Sequence, residues 1–567
     1  MPRVAIPAKK GSRKIPETRT INPGRGLNTL ISDNLIKDEE ASALNNVVFV
    51  ESGAITKAPG LTELGTGLTT GPKGLAAFYP GTSRYLLTVD GTSLKYLNGT
   101  NWTAISGASF TADKEVNFVQ GNDTLYIWDG DAAGCSLDSS LTLARLTTAP
   151  RAAFGIYYNS VQIVAGVDTK PNRLYVSDST TNLGDFTNAS GTLSTAGEVP
   201  GASVFATPGT TGAKLYDINP GDGDKITGLA KYQGVLIIFK QRSIYQFSFD
   251  SSGNGVVTQV TASSGCVSHK SIDNVENDIF YLSRRGYYVL GNEPNYFNSI
   301  RSNELSSRIN PTIQTISAAN LSRVCSIFSD FRFYSSITSG SATDNNKTLI
   351  YDRRYLAWSQ VDYIKANAFT EYIDANGSKR LYFAADDEAK VYEIVEGNYN
   401  VDGATAIDAS WTSKAFDIGK FDLNKRWIDM TILFRQVTGT VNITVYADND
   451  SIASTASVGA SSSAAGALGT TRFGALQFGG AGLESTGVTT NNVPYRLKLN
   501  KKSRTIKVKF DCPGLNDTFT ILGFVFTYVP YNHYSFDSAY KLYPGATATV
   551  DVTSEVIVAE DDNPLII

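Results

Sequence analysis

The 567 residues exceed what one hydrophobic core organises, so at least two domains are expected. With 50 Gly, 29 Tyr and 27 Phe against 2 Met the balance favours strands and turns, and a net charge of −4 excludes a polyanion binder acting by bulk charge. Four scattered cysteines with no CxxC pair exclude a disulfide framework, and no apolar run reaches the ~18–20 residues of a membrane span.

Residues 1–20 set Arg3, Lys9, Lys10, Arg13, Lys14 and Arg19 against the single acid Glu17, with no apolar period. They read as a flexible basic arm, either solvated or ordered against an acidic neighbouring subunit or nucleic acid. The subunit is favoured over DNA, because no aromatic residue is interleaved to stack on bases. Residues 21–66 read as a lead-in helix and hairpin. Pro23, Gly24 and Gly26 make a turn-rich start, and Asp38 then caps a short helix with Glu39 and Glu40 in its first turn. Ala41 and Leu44 form the apolar stripe of that helix, and Asn45 and Asn46 end it. Strands at 47–50 and 54–57 follow around Glu51-Ser52-Gly53, stopped by Pro59-Gly60.

Within 20–61 the chain carries Gly-Leu-Asn-Thr, then Asp-Glu-Glu-Ala-Ser-Ala-Leu-Asn-Asn-Val, then Glu-Ser-Gly-Ala-Ile-Thr-Lys-Ala-Pro-Gly. This order resembles the N-terminal segment of β-propeller structural proteins of tailed bacteriophages, the tail-nozzle or tail-accessory type.

From 67 to 403 a strand–turn–strand unit recurs with polar turns. Examples are 75–79, 84–89 and 93–97, then 154–158, 161–165 and 173–176, and later 229–232, 235–239 and 243–247. Six or seven antiparallel units of about 40 residues fit a β-propeller, which spares short apolar strands from exposed edges. Two consecutive β-sandwiches remain the alternative. Ring closure is expected to use a strand from the 47–57 hairpin or from just after residue 400. Residues 300–320 are the most helix-like stretch, expected as a surface insertion or connecting arm.

Longer alternating strands between 404 and 535 read as a C-terminal β-sandwich, interrupted by an Ala/Ser/Gly-rich loop at 450–490 that a neighbour would order. Lys501, Lys502 and Arg504 are placed in a turn between sandwich strands, as a subunit-contact patch or a solvated hairpin tip. The tail at 536–567 contains Glu560-Asp561-Asp562 and would suit contact with the basic arm of another copy. The fold class is thus all-β: a propeller-like body, a C-terminal sandwich and an extended N-terminal arm.

Little chemistry is legible. The chain has two histidines, His269 and His533, both read as structural, and neither has a GxSxG nucleophile nearby. Histidine and cysteine are too sparse for a zinc site, and Lys73 lacks the flanking residues of a P-loop. Asp129, Asp131, Asp352, Asp386, Asp387 and Glu388 fall near turns, where aspartate ordinarily bonds its own backbone. Val89-Asp90-Gly91 is the nearest approach to a sialidase box and lacks its serine and aromatic. The run Asp217 to Asp224 offers oxygen ligands for Ca²⁺ but departs from the EF-hand pattern, and a plain acidic loop is the preferred reading. No catalytic residue, cofactor or metal is therefore assigned, and a non-enzymatic protein is expected.

The phage resemblance implies more than the residues do. It implies a virion tail location after assembly in a host cytoplasm, and a closed, commonly sixfold ring of copies below the portal and adaptor. Portal, adaptor, other tail proteins including fibres, and genomic DNA passing through the channel would be the partners. A neck, baseplate or host-recognition protein on the same domains is one alternative. A carbohydrate-active propeller enzyme, needing two carboxylates across one cleft, is the other.

Overall fold

The computed structural model describes residues 15–178, 183–188, 191–192, 212–251, 253–292, 300–448, 451–461, 483–484 and 493–530, with short strands at 548–550, 557–559 and 564–565. Among the described residues, seven blades run in series, six of them four-stranded and antiparallel, spanning 75–104, 117–145, 154–217, 226–261, 273–304 and 325–361, and a seventh with three strands at 366–395. Their second strands, such as Val235–Lys240, are continuous apolar runs because a neighbouring blade covers each face.

Radial order follows from the cores. Phe78, Val89, Ile127 and Leu137 join blades 1 and 2, and Trp128 and Tyr175 join 2 and 3. Ile163 and Leu236 join 3 and 4, and Phe239 meets Tyr281 at 5.0 Å between 4 and 5. Phe280 packs edge-on to Phe333 at 5.3 Å between 5 and 6, and Tyr334 and Phe383 share the 6–7 core. Tyr382 and Ala384 of blade 7 then pack with Leu86 and Trp102 of blade 1. Seven such interfaces for seven blades make a closed ring, the β-propeller the spacing predicts.

The seventh blade draws only three strands from its own part of the chain. Its fourth is Gly60–Glu63, antiparallel to Val391–Val395 with Leu61 opposite Ile394. This corrects the expected closure. The 47–57 hairpin is occupied elsewhere, and the segment after 400 adds only a parallel pairing of Val401 with Leu61. Gly60 fits because a Cβ there would overlap the Asn400 carbonyl.

The sandwich is built from both ends of the chain. One sheet orders Val47–Val50, Ala54–Lys57, Thr518–Pro530, Lys425–Thr438 and Val493–Ser503, with Glu17–Ile21 also paired to Thr518–Pro530. The other orders Ala41–Asn45, Ala409–Ser413, Ile506–Cys512, Thr440–Ala447, Ser451–Ser461 and Leu483–Glu484. Trp411, Trp427, Phe416 and Phe524 fill the space between them. That core continues without a break into Phe280, Phe333 and Trp358 of blades 5 and 6.

Four local expectations change. The helix expected at 38–46 is instead the strand Ala41–Asn45. A bulge between Ala41 and Ala43 turns both Ala41 and Leu44 inward, which imitates the three-residue spacing of a helix stripe. The arm ends earlier than residue 20, because Glu17–Ile21 pairs with a sandwich strand through its backbone. The first part of the 450–490 loop is the strand Ser451–Ser461, paired along Thr440–Ala447. The 300–320 stretch begins with the fourth strand of blade 5, Ile300–Glu304, and only Asn310–Ile313 is α-helical. Ile309 and Ile313 pack into the shared core.

Leu61 is 1% exposed, so Leu61→Ala should cost roughly 2–5 kcal/mol. Urea unfolding would check this, and with the sandwich core running on into blades 5 and 6 the wild type should give a single transition by both tryptophan fluorescence and far-UV circular dichroism.

Candidate functional site

The segments that lead into the inner strands converge at one mouth of the propeller, around a cavity of about 600 Å³. Asp113, Glu115, Asp168, Lys225, Lys270 and Arg323 line it together with Phe154 and His269. Below it the one-turn 3-10 helix His269–Ser271 precedes a short inner strand, Asp273–Val275, and His269 and Lys270 also line a second cavity of about 360 Å³ between the inner strands of blades 1, 2, 6 and 7.

A charged network crosses the axis. Lys270 Nζ donates to Glu115 Oε2 at 2.8 Å and to the backbone and side-chain oxygens of Asn367 at 3.0 Å. Asn367 Nδ2 donates to Glu115 Oε1 at 3.1 Å and to Asp386 Oδ1 at 3.2 Å. Asp386, its side chain 1% exposed, also receives Arg323 Nη2 at 2.9 Å and Asn345 N at 2.7 Å. Arg323 reaches on to Asp344 at 2.9 Å. Blades 5, 6 and 7 and the lead-in to blade 2 are thereby cross-tied.

His269 stacks on Phe154 at 4.7 Å, and its Nδ1 accepts from Leu229 N at 3.3 Å. Burial pushes its pKa down to about 4, so it is neutral at pH 7. Cys266 and Cys325 lie beside it, buried and unpaired like the other two cysteines. Burial pushes their thiols up to about 11 and about 12, which makes them poor nucleophiles.

The carboxylates singled out from sequence are dispersed. Asp129 accepts from its own turn at Asp131 N and Ala132 N, and from Thr111 N. Asp352 holds Arg354 and Arg332 at the opposite face of blade 6. Asp387 pairs with Lys365 at 2.7 Å, and Glu388 accepts from Tyr392 Oη at 3.1 Å. Asp386 joins the axial network, and Asp129 lines the mouth cavity. Burial pushes Asp90 up, but Lys95 and the donors of Thr69 and Thr70 outweigh it and hold that carboxyl at about 2. In the 217–224 loop Asp217 is clamped by Arg173, Asp222 by Lys240, and Asp224 by the amides of Gln241 and Arg242. These carboxylates face separate partners, and no group of three metal-ligating side chains occurs among the described residues.

The basic residues are also placed. Lys9, Lys10, Arg13 and Lys14 lie outside the described residues, as do His533 and Glu560 to Asp562. Arg19 is bonded to Asp38 of its own chain at 2.6 and 3.0 Å. Lys501 and Lys502 sit on the sandwich edge strand opposite Trp427 and Arg426, and the turn proper is at Arg504 and Thr505, whose amides donate to Asp448. Arg19 and Lys501 share one sheet, separated by two strands. Glu115, Lys270, Arg323 and Asn367 were not singled out from sequence. Their only mark there is a polar or charged residue at or just before the start of an inner strand.

No protein-family model and no curated protein matches the sequence. Among solved structures the chain is similar to virginiamycin B lyase from Staphylococcus aureus, at 14% identity over 60% of this chain and 98% of that one, TM-score 0.38. It is similar to the extracellular domain of a one-component system from B. thetaiotaomicron, at 11% identity over 72% and 48%, TM-score 0.35. It is likewise similar to the Cps50 (Swd1) β-propeller domain from Myceliophteria thermophila, at 9% identity over 59% and 99%, TM-score 0.36. No residue or activity is carried from these to this chain.

Two outcomes test the axis. Unfolded His269 takes a proton below pH 6.5 whereas the folded side chain resists until about 4, so stability should fall as pH drops through that window. Urea titrations at pH 7, 6 and 5 should show a shallower fall for His269→Asn than for the wild type. Arg323→Met strands the buried Asp386 carboxylate and should cost about 3–5 kcal/mol at pH 7, with Arg323→Lys recovering part of it.

Proposed function

We propose that the protein is a non-enzymatic structural component of a tailed-phage virion, of the nozzle or tail-accessory kind. Copies stand side by side in a closed ring below the portal and adaptor. The observation that carries this reading is where the phage-like stretch 20–61 falls. It contributes strands to both sandwich sheets and then closes the propeller, which makes the two parts one rigid building block. His269 and Lys270 lie between two separate cavities on the propeller axis, which supports the same reading: DNA would run between copies, not through a blade ring.

The mouth cavity, with Asp113, Glu115 and Asp168, keeps a carbohydrate-active enzyme as the second reading. That chemistry requires two carboxylates roughly 5–10 Å apart across one cleft, and glycan-cleavage assays with Glu115→Gln as the control address it. The ring reading is tested by light scattering of the protein, alone and with tail components, together with antibody labelling of purified particles. A discrete ring and label at the tail are expected. A monomer in both mixtures, or unlabelled particles, would contradict it.

A further inference from the structure

Lys270, Asn367 and Glu115 meet in an arrangement that an ion pair alone does not need. All three protons of the Lys270 ammonium have acceptors within 3.0 Å: Glu115 Oε2, and both the backbone and the side-chain oxygens of Asn367. The two oxygens of Glu115 are divided, Oε2 on the amine and Oε1 on the amide nitrogen of Asn367 at 3.1 Å. One carboxylate thus touches both the nitrogen that can attack the amide and the nitrogen that would leave it. A second carboxylate, Asp386, accepts from the same Asn367 Nδ2 at 3.2 Å. Asn367 is 1% exposed, so its amide is held between these groups, while Lys270 and Glu115 border the mouth cavity. Lys270 Nζ is 3.0 Å from Asn367 Oδ1. With a C=O bond of about 1.23 Å it therefore lies within about 4.2 Å of Cγ, a short move from a near-attack distance of about 3–3.5 Å.

We propose that Lys270 and Asn367 join through an autocatalytic isopeptide bond, with Glu115 carrying the protons. Glu115 Oε2 takes a proton from the ammonium, and the freed lone pair attacks Asn367 Cγ as the carbonyl pair moves onto Oδ1. Glu115 then passes a proton to Nδ2 from Oε1 and takes the next one from Nζ. The Oδ1 pair returns, the Cγ–Nδ2 bond breaks, and Nδ2 departs as ammonia beside Asp386. Ammonia accepts the proton left on Glu115 and leaves through the mouth cavity as ammonium, so neither water nor an oxidant is consumed. The new bond ties the segment before the inner strand of blade 5 to the inner strand of blade 7, Ala366–Ile373, and needs no second copy.

The mass of the purified full chain is the test. Wild type should weigh one ammonia, about 17 Da, less than its sequence. Its tryptic digest should contain a branched peptide in which Lys270 carries the segment with Asn367. Glu115→Gln keeps the shape of the carboxylate but cannot shuttle protons, so it should stay at full mass, as should Lys270→Arg. On a denaturing gel the wild type should run ahead of both variants, because its unfolded chain keeps a loop closed across 97 residues. Wild type at full mass would overturn the proposal whatever the variants do. So would an ammonia loss that maps to succinimide at an exposed turn such as Asn376-Gly377, or complete ligation in Glu115→Gln.

Discussion

A ring of blades is stable only when its last sheet finds a partner for its outer edge, and here the partner is a strand from near the other end of the chain. Gly60–Glu63 cannot be placed without placing what precedes it. Ala54–Lys57 is already hydrogen-bonded into the sandwich at Ile521 and Thr520. Ala58 N donates to Asn46 O at 2.9 Å, and Tyr363 Oη donates to the Pro59 carbonyl. Two residues thus separate a strand of one part from a strand of the other. Relative motion of propeller and sandwich would have to break one sheet or the other, and the shared core of Phe49, Trp358 and Trp411 opposes it as well. Ring closure by a distant strand makes folding depend on long-range contacts, which is slow, but it covers the outer edge of Val391–Val395.

Buried cations do a second kind of fixing. Lys57 Nζ donates to the carbonyls of Cys512 and Gly514, Lys240 to Ile218 O and Asp222, and Lys425 to Leu423 O and Arg504 O. Each ammonium replaces water at the carbonyls of a turn that would otherwise be left unsatisfied in the interior. Burial pushes the pKa of Lys57 and of Lys425 down, the cost of excluding water from a charge. The axial network of Lys270, Glu115, Asn367, Asp386 and Arg323 applies the same logic where blades meet. Carboxylates that composition alone leaves open to chemistry are thereby committed to structure.

The strands of the blades were legible because hairpin turns and apolar second strands are local signals, and so were those of the sandwich, from their alternation. What was not legible depended on distant partners. Ala41 and Leu44 carry a helix-like spacing only because a bulge against Ala409–Ser413 turns both inward. Leu61 and Thr62 lie past the Pro59-Gly60 stop and carry no strand signal until Val391–Val395 is beside them. Ser451–Ser461 is rich in Ser and Ala with few bulky apolar residues, and becomes a strand through its backbone pairing with Thr440–Ala447. Arg19 is one of six similar cations until Asp38, nineteen residues on, selects it. The axial residues had no motif at all, since Glu115, Lys270 and Arg323 gain meaning only when the ring brings them within bonding distance.

Native-state hydrogen exchange tests the claim that residues 41–63 hold propeller and sandwich as one unit. Amides of Leu61 to Glu63 and of Phe49 to Thr56 should exchange only through global unfolding, with the same free energy as amides in Val391–Val395 and Thr518–Pro530. Exchange of 60–63 at a much lower free energy than either neighbour would contradict the account, because it would show the ring opening while the sandwich stays folded.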